Sequence, residues 1–411
     1  MIRHVFKLIW NRKRTNALMM IEIFVSFLVL FAVVALGVYT ADNWRRPLGY
    51  SIDRVWVVGV DMKQTGDDTF DEAQQEMARQ LLLALREFPE IEATAGTMLA
   101  PYQMGSSESS HEWRGRRIEY GVAEVTDGFK DLLGLEVVEG RWFGAEDDGQ
   151  AYDAVVINQN MRADLFGAGP AIGENIANER TPDGSAAERP RRVVGVVAAY
   201  REDGEFDGTR NYVIFRKTMG VGGAEGAGTR RDRPPHNLLI KVRPGTTAAF
   251  EERLLDRLAA AAPTWSFEIT TLSAMRDAFN RFAFAPLIAV GLVAAFVMLM
   301  VALGLLGVLW QNVTQRTREI GLRRAKGASR ADVRRQILAE IAVMTTLALL
   351  AGVLVAIQFP LLDIIYFVEP HVYAIGLAIS VGAIYGLTLA CAWYPSRLAT
   401  MIEPADALRY E

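Results

Sequence analysis

The apolar and polar positions divide the chain into two kinds of segment. Residues 17–40, 284–310, 337–359 and 372–393 are almost unbroken apolar runs. Each matches the length of about 20 residues that crosses a hydrocarbon core, so four transmembrane helices are predicted. Residues 41–283 hold no run of that length, and their pattern changes period. Strands are predicted at 55–62, 118–126, 154–158, 191–200, 211–216, 237–245 and 267–272. A helix is predicted over 70–88, where Met77, Leu81, Leu82 and Leu85 recur at helical spacing before Pro89. Two more are predicted over 159–167, closed by Gly167, and over 248–262, which carries Phe250, Leu254, Leu255 and Leu258 ahead of Pro263. Strands interleaved with helices describe an α+β or split βαβ domain.

The first apolar run carries one charge, Glu22. The run is too long for the apolar core of a cleaved signal peptide, so it reads as a retained first span. Glu22 sits roughly 5 residues, about 7 Å, into that span. An ionisable group at that depth faces protein or water. It meets a partner helix or snorkels to the inner surface; a proton relay is the alternative. Before the span, residues 1–16 mix Arg3, Lys7, Arg12, Lys13 and Arg14 with Val5, Phe6, Leu8, Ile9 and Trp10. That mixture suits an amphipathic helix lying at the membrane surface; a plain positive flank is the simpler reading. Gly291, Gly304 and Gly307 in the second run allow close approach of another helix.

Charge gives the four spans their direction. Residues 315–340, between the second and third spans, hold Arg316, Arg318, Arg323, Arg324, Lys326, Arg330, Arg334 and Arg335, offset by Glu319, Asp332 and the late Glu340. Arginine beside membrane-spanning ends marks the cytoplasmic side. The loop at 360–371 has Asp363 and Glu369 and no Lys or Arg, as expected outside. One topology fits every loop: both termini inside and the large block outside. The predicted fold is therefore an α-helical membrane protein with four transmembrane helices and an extracytoplasmic α+β domain. In order, the parts are a cytoplasmic amphipathic helix (1–16), the first span (17–40), the extracytoplasmic domain (41–283) and the second span (284–310). A cytoplasmic segment (311–336), the third span (337–359), an outer loop (360–371), the fourth span (372–393) and a cytoplasmic tail (394–411) follow. The basic segment also carries helix punctuation. Glu319 precedes Arg323 by four residues, the favourable order for an ion pair. Gly327 suits the left-handed residue that ends a helix, and Ser329 with Asp332 forms a capping-box pattern. A short helix, a tight Gly-Ala-Ser turn and a second helix continuing into the membrane are predicted.

Composition agrees with this division. The chain of 411 residues is 51% hydrophobic and still 22% charged, with a mean hydropathy of +0.14. Its net charge of -4 argues against a general nucleic-acid binder. A single cysteine, Cys391, lies in an apolar run, so no intrachain disulfide forms. His4, His111, His236 and His371 have no metal-like spacing. The glycine-rich stretch at 220–235 lacks the Gly-Lys-Ser/Thr ending of a phosphate loop and reads as a surface loop. No Walker A sequence occurs anywhere in the chain. Glu146, Asp147 and Asp148 read as a solvated turn rather than a general acid/base pair. No catalytic residue and no metal ligand is assigned.

The run REIGLRRAKGASRADV resembles the cytoplasmic coupling segment of FtsX/MacB-type ABC transporter permeases, through Arg318, Glu319, Ile320, Gly321, Arg323, Ala325, Gly327, Ala328 and Ser329. Three further pieces resemble the periplasmic core domain of the same family: GRWFGAEDD at 140–148, AVVINQNMRADLFGAGPAIGENI at 154–176 and RRVVGVVAAY at 191–200. The family's P-I-G turn is loosened here to Pro170, Ala171, Ile172 and Gly173. The tail resembles the family's ending through Tyr394, Pro395, Ser396, Ala399, Pro404, Ala407, Leu408, Arg409 and Glu411. Residues 98–117 and 220–235 show no family pattern.

The resemblance implies a non-catalytic permease subunit in the bacterial inner membrane. Its coupling residues would be Arg318, Glu319, Ile320, Gly321, Arg323, Arg324, Ala325, Lys326, Gly327, Ala328 and Ser329. The partners implied are an ABC ATPase in two copies on a separate polypeptide, a second permease (identical or homologous), the lipid bilayer and, in some assemblies, a periplasmic adaptor. This chain would bind no cofactor, Mg-ATP residing on the ATPase, and no nucleic acid. ATP-driven closure would push the coupling helix, and the spans would carry the motion to the outer domain to export or extract a substrate. The alternative is an FtsX-like regulator that activates a cell-wall hydrolase outside.

Overall fold

The computed structural model describes residues 13–62, 72–105, 107–177, 189–206, 208, 210–217, 234–362 and 368–399. The expected surface helix at 1–16, the glycine-rich stretch and the end of the tail fall wholly or largely outside them. The described helices are α1 (Lys13–Arg45), α2 (Glu72–Arg86), α3 (Phe129–Leu133), α4 (Gln159–Phe166), α5 (Ala248–Ala261), α6 (Leu272–Gln315), α7 (Thr317–Ala325), α8 (Arg330–Ala356), α9 (Gln358–Leu361) and α10 (Pro370–Ala399). The strands are β1 (Val55–Asp61), β2 (Ile91–Thr97), β3 (Glu108–Trp113), β4 (Arg116–Val125), β5 (Val137–Gly140), β6 (Asp153–Asn158), β7 (Arg191–Val197), β8 (Tyr212–Arg216), β9 (Asn237–Val242) and β10 (Ser266–Thr271). The chain forms two compact units. One joins Met1–Asp42 to Phe284–Glu411; the other is Asn43–Ala283.

In the helical unit, α1, α6, α8 and α10 are long and apolar enough to cross a membrane. Phe27, Leu305, Ile341, Met344, Leu349 and Ile384 form its interior. Small residues let the backbones close up. A Cβ on Gly352 would overlap the Phe27 ring, and one on Gly376 would press on Ala35. Thr346 Oγ1 and Tyr385 OH meet at 2.7 Å between α8 and α10, so two hydroxyls satisfy each other in an apolar interior. Leu292, Phe296, Leu299 and Leu303 stay exposed along α6. Helix α6 begins at Leu272, ahead of the predicted start of the second span, because Thr271 Oγ1 accepts the amide of Ala274 and caps it. Pro286 lies inside the helix.

The second unit is built on one mixed sheet in the order β10-β1-β9-β2-β4-β8-β6-β7-β5, with β3 paired to β4. The pairs β4–β8 and β6–β7 are parallel. Both faces are covered, which explains the unbroken apolar strands. Val55 and Val57 face one core, while Val58 and Val60 of the same strand face another beneath α2 and α5. Strand β6 divides likewise, with Val156 on one side and Val155 and Ile157 on the other. Bidentate bonds from Arg257 to Glu87, at 2.9 and 2.7 Å, join α5 to the end of α2.

Three strands and one helix were not predicted: β2, β3, β5 and α3. β2 is built largely from small residues, β3 is a polar strand off the main path of the sheet, and β5 has four residues. Each is too short or too polar to show period-2 alternation. The expectation of a solvated acidic turn at 146–148 holds for exposed Glu146 and Asp148 and fails at Asp147. Asp147 is buried and receives both terminal nitrogens of Arg141, at 2.8 and 2.6 Å. Glu146 also pairs with Arg141, and Asp148 pairs with Arg216. Two of the family-like motifs are partners in space. Gly140 of GRWF pairs with Gly195 of VVGVV. A Cβ on Gly195 would overlap the carbonyl of Arg141, and one on Gly140, which has φ +69°, would overlap that of Val194. Glycine is therefore required on both sides of this crossing.

Candidate functional site

The basic segment folds as an elbow. Helix α7 ends where Gly327 takes φ +97°. The amide of Ala328 reaches back to the carbonyl of Arg323 at 3.1 Å, the long bond of a Schellman ending. The next helix starts at once. Ser329 Oγ accepts the amide of Asp332 at 3.2 Å, and Asp332 Oδ2 accepts the amide of Ser329 at 3.1 Å. That reciprocal pair is a capping box, so the turn is fixed at both sides by local chemistry.

A latch holds α7 against α8. Arg316 Nη1 donates to Glu340 Oε2 at 2.5 Å, and Gln336 Nε2 donates to Glu340 Oε1 at 3.2 Å. Arg323 Nη1 donates to Gln336 Oε1 at 2.5 Å. Beside this chain of bonds Ile320 and Val333 are buried against Ile337. Val333, Gln336, Ile337 and Glu340 occur at spacings of three and four, so they share one face of α8. Farther round α8, the Arg334 guanidinium lies 5.0 Å from the Trp393 ring centroid of α10, a cation–π contact.

The outer side of the elbow is open. Leu322, Ala325, Lys326, Gly327, Ser329 and Arg330 are exposed, and Ala328 is half-buried. Ile320 and Gly321 point inward and are buried. Arg318, Glu319 and Arg324 are placed on α7 by the backbone, but their side chains are outside those described, and with them the expected Glu319–Arg323 pair. The structure thus separates the predicted coupling residues into an inner set and an outer set. Sequence reasoning missed four participants. In the sequence Arg316 and Glu340 stand out only as charges, Gln336 belongs to no motif, and Leu322 gives no sign that it presents an apolar side chain amid exposed basic residues. Spacing of Val333, Gln336, Ile337 and Glu340 on one helix face was the available signal.

Glu22 is half-buried on α1, with its carboxylate against Gly304 of α6. The missing side chain of Gly304 makes room for it. The two residues singled out separately in the sequence therefore meet.

No group of three or more His, Cys, Asp or Glu side chains is arranged to hold a metal among the described residues. In the α/β unit the charged side chains close on one another. Arg141 holds the Asp147 carboxyl below the usual aspartate range, chiefly through their hydrogen bonds. Asp127 and Asp148 raise the Arg216 guanidinium. A cavity beside β3, β4 and β8, lined by Tyr120, Glu124, Arg191, Phe215 and Lys217 among others, has a Lys217–Glu124 ion pair in its wall at 3.3 Å.

Two family profiles cover these two units. One, described as a MacB-like periplasmic core domain, matches residues 17–257. The other, described as an FtsX-like permease C-terminal region, matches residues 291–404. This chain belongs to the FtsX/MacB-type ABC transporter permeases. The permease is 27% identical over 289 residues to the pyoverdine export ATP-binding/permease protein PvdT of Pseudomonas aeruginosa, covering 68% of this chain and 41% of that one. It is 25% identical over 331 residues to the macrolide export ATP-binding/permease protein MacB 1/2 of Paracoccus denitrificans, covering 78% and 45%. It is also 24% identical over 433 residues to the uncharacterized ABC transporter permease YvrN of Bacillus subtilis, covering 100% and 99%. The permease thus spans less than half of the first two relatives and nearly all of the third.

Proposed function

We propose that this permease receives motion driven by ATP hydrolysis on a partner subunit at the α7–Gly327–α8 elbow. The spans pass that motion to an extracytoplasmic α/β unit, which exports or extracts a substrate. The latched elbow carries this reading. A helix joined to α8 through a turn capped on both sides, and held to α8 by the Arg316–Glu340 and Arg323–Gln336 bonds, moves with α8 rather than folding away from it. Its open side offers Leu322 among basic residues, a combination suited to an apolar anchor with a charged rim. The ATP-binding portion named in PvdT and MacB supports an ABC ATPase as the partner.

In this reading the arginine-rich elbow and both termini are cytoplasmic, by the positive-inside rule. The α/β unit is then outside the inner membrane. Two ATPase copies, holding Mg-ATP, would serve two permeases, identical or homologous, and an adaptor would dock outside. The permease itself performs no covalent step. Its own residues supply the elbow, the helix contacts and the outer unit.

The test is affinity purification from native membranes followed by mass spectrometry, with transport measured in Gly327→Pro and Glu319→Lys variants. An ABC ATPase should co-purify, and both variants should hydrolyse ATP without transport while inserting normally. Wild-type transport in both variants removes the case for coupling at the elbow. An envelope hydrolase recovered in place of an ATPase overturns the transport reading.

A further inference from the structure

The segment from Tyr200 to Phe206 is a buried polar strap inside the unit Asn43–Ala283. That unit includes the last residues of α1 and the first turns of α6. Arg201 is 6% exposed and Glu205 3%. Such burial of charge is costly unless each charge is paired and hydrogen-bonded, and here the partners lie on both helices. Arg201 Nη1 donates to the carbonyl of Asn43 at 2.9 Å and to that of Arg46 at 3.2 Å. Those carbonyls belong to the end of α1, where backbone acceptors lack helical donors and a cation is favoured. Through Nη2 the same guanidinium holds the carbonyl of Glu205 at 3.2 Å. The Glu205 carboxylate then reaches α6: Arg276 Nε donates to it at 2.7 Å, and Tyr102 OH donates to it at 3.1 Å.

Aromatic rings run alongside. Trp44 packs edge-on to Phe206 at 5.9 Å, and Phe206 lies 6.4 Å from Phe279 on α6. Tyr50 OH donates to the carbonyl of Arg201 at 3.0 Å. Gly204, at φ +63°, lets the strap turn beneath the Tyr102 ring, which a Cβ there would overlap. One short segment therefore fastens the end of one spanning helix and the beginning of another to the sheet unit.

We infer that Arg201 and Glu205 are positioning residues for coupling, joining α1 and α6 so that displacement of either helix end is delivered to the α/β unit through a single strap. This rests on the proposed transmission function. Without the pair, each helix keeps its peptide connection and its ring contact with Phe206 but loses its hydrogen bonds to the strap. The unit then responds to helix motion through the two peptide connections and these ring contacts, a weaker joint than the hydrogen-bonded strap.

The experiment uses the full chain with its co-purified ATPase in lipid nanodiscs, in a Cys391→Ala background. Spin labels are placed at exposed Ser266 and exposed Gln311, and electron–electron distances are recorded with and without Mg-ATP and vanadate. Wild type should show a nucleotide-dependent change in the distance distribution. In Arg201→Gln and Glu205→Gln the ratio of shifted to unshifted populations should fall by roughly two- to thirty-fold, with ATP hydrolysis and thermal unfolding retained. Glu205→Arg combined with Arg276→Glu should restore part of the shift by re-forming the pair in reverse. Should Arg201→Gln fail to fold, Arg201→Lys, which keeps the charge but presents a single donor head, replaces it. A full shift in folded variants overturns the strap while leaving the transmission function standing. No shift in wild type overturns the transmission function itself.

Discussion

Arg316 and Glu340 meet at 2.5 Å with both side chains largely shielded from solvent. The first lies between α6 and α7 and the second one face into α8, so the pair decides where α7 rests. Removing one partner strands the other. Glu340→Ala is expected to cost about 1–3 kcal/mol, because half-buried Arg316 would lose the acceptor of its charged hydrogen bond. Glu340→Gln, which keeps a hydrogen-bond acceptor, should cost less. Thermal denaturation of the detergent-solubilised variants checks the order.

Gly304 and Gly307 provide a matched comparison on one helix. A Cβ on Gly304 would overlap the Glu22 carboxylate, whereas nothing lies within 4 Å of one on Gly307. Gly304→Ala should therefore push the flexible Glu22 carboxylate aside at a cost below about 1 kcal/mol, less than that of overpacking a rigid core, and Gly307→Ala should displace nothing. Disulfide trapping between cysteines introduced on α1 and α6 reports the separation. Glu22→Leu should lower the yield of assembled protein more than it alters any proton-dependent activity.

A second comparison lies in the sheet unit. Gly140→Ala combines a left-handed φ with overlap on the Val194 carbonyl, while Gly149→Ala has φ +71° and open space. The left-handed conformation alone costs roughly 1–2 kcal/mol. Gly140→Ala should exceed Gly149→Ala by the cost of parting β5 from β7, and Gly195→Ala should weaken the same seam without any φ strain. Urea midpoints of the three variants measure the difference.

Asp147 sets an acid limit. Its folded carboxyl titrates below the ordinary 3.8 because Arg141 bonds the ionised form. The stabilisation from this pair is complete above the unfolded value and disappears as pH falls through the folded one. Asp147→Asn should therefore lower stability at neutral pH and flatten the loss of stability below about pH 4. A pH series of thermal unfolding curves checks both limbs.

The four apolar runs were legible because nothing but length and polarity is needed to see them. The elbow was legible for a related reason. Gly327, Ser329 and Asp332 act within a few residues, so their chemistry is written locally. Arg316–Glu340 was not, since it depends on where α7 turns back, and a charge count treats Glu340 as an offset. Buried strands such as β1 and β6 announced themselves through runs of valine, while β3 (ESSHEW) did not, because its neighbour β4 supplies the apolar partners. Within the acids at 146–148 only Asp147 departs from a solvated turn: Arg141 is near in sequence, but burial of Asp147 comes from the fold around it. The Arg201–Glu205 strap had no local signature at all. Its partners at Asn43, Arg46, Tyr102 and Arg276 come from distant parts of the chain.

Strands β2 and β4 touch at one register pair, Thr97 with Val125, whereas β2 and β9 pair along most of their length. The junction is bridged by few bonds, among them Thr126 N to Gly96 O at 2.9 Å and Met98 N to Glu124 O at 3.1 Å. On either side, α2 and α5 shelter one interior and α4 another. On the other face one core runs across the seam, with Val57 and Leu239 from one side and Val156 and Ile214 from the other. The sparse backbone pairing between β2 and β4 is therefore made good by side chains, and bending the sheet there would have to part that shared core as well as a few amides.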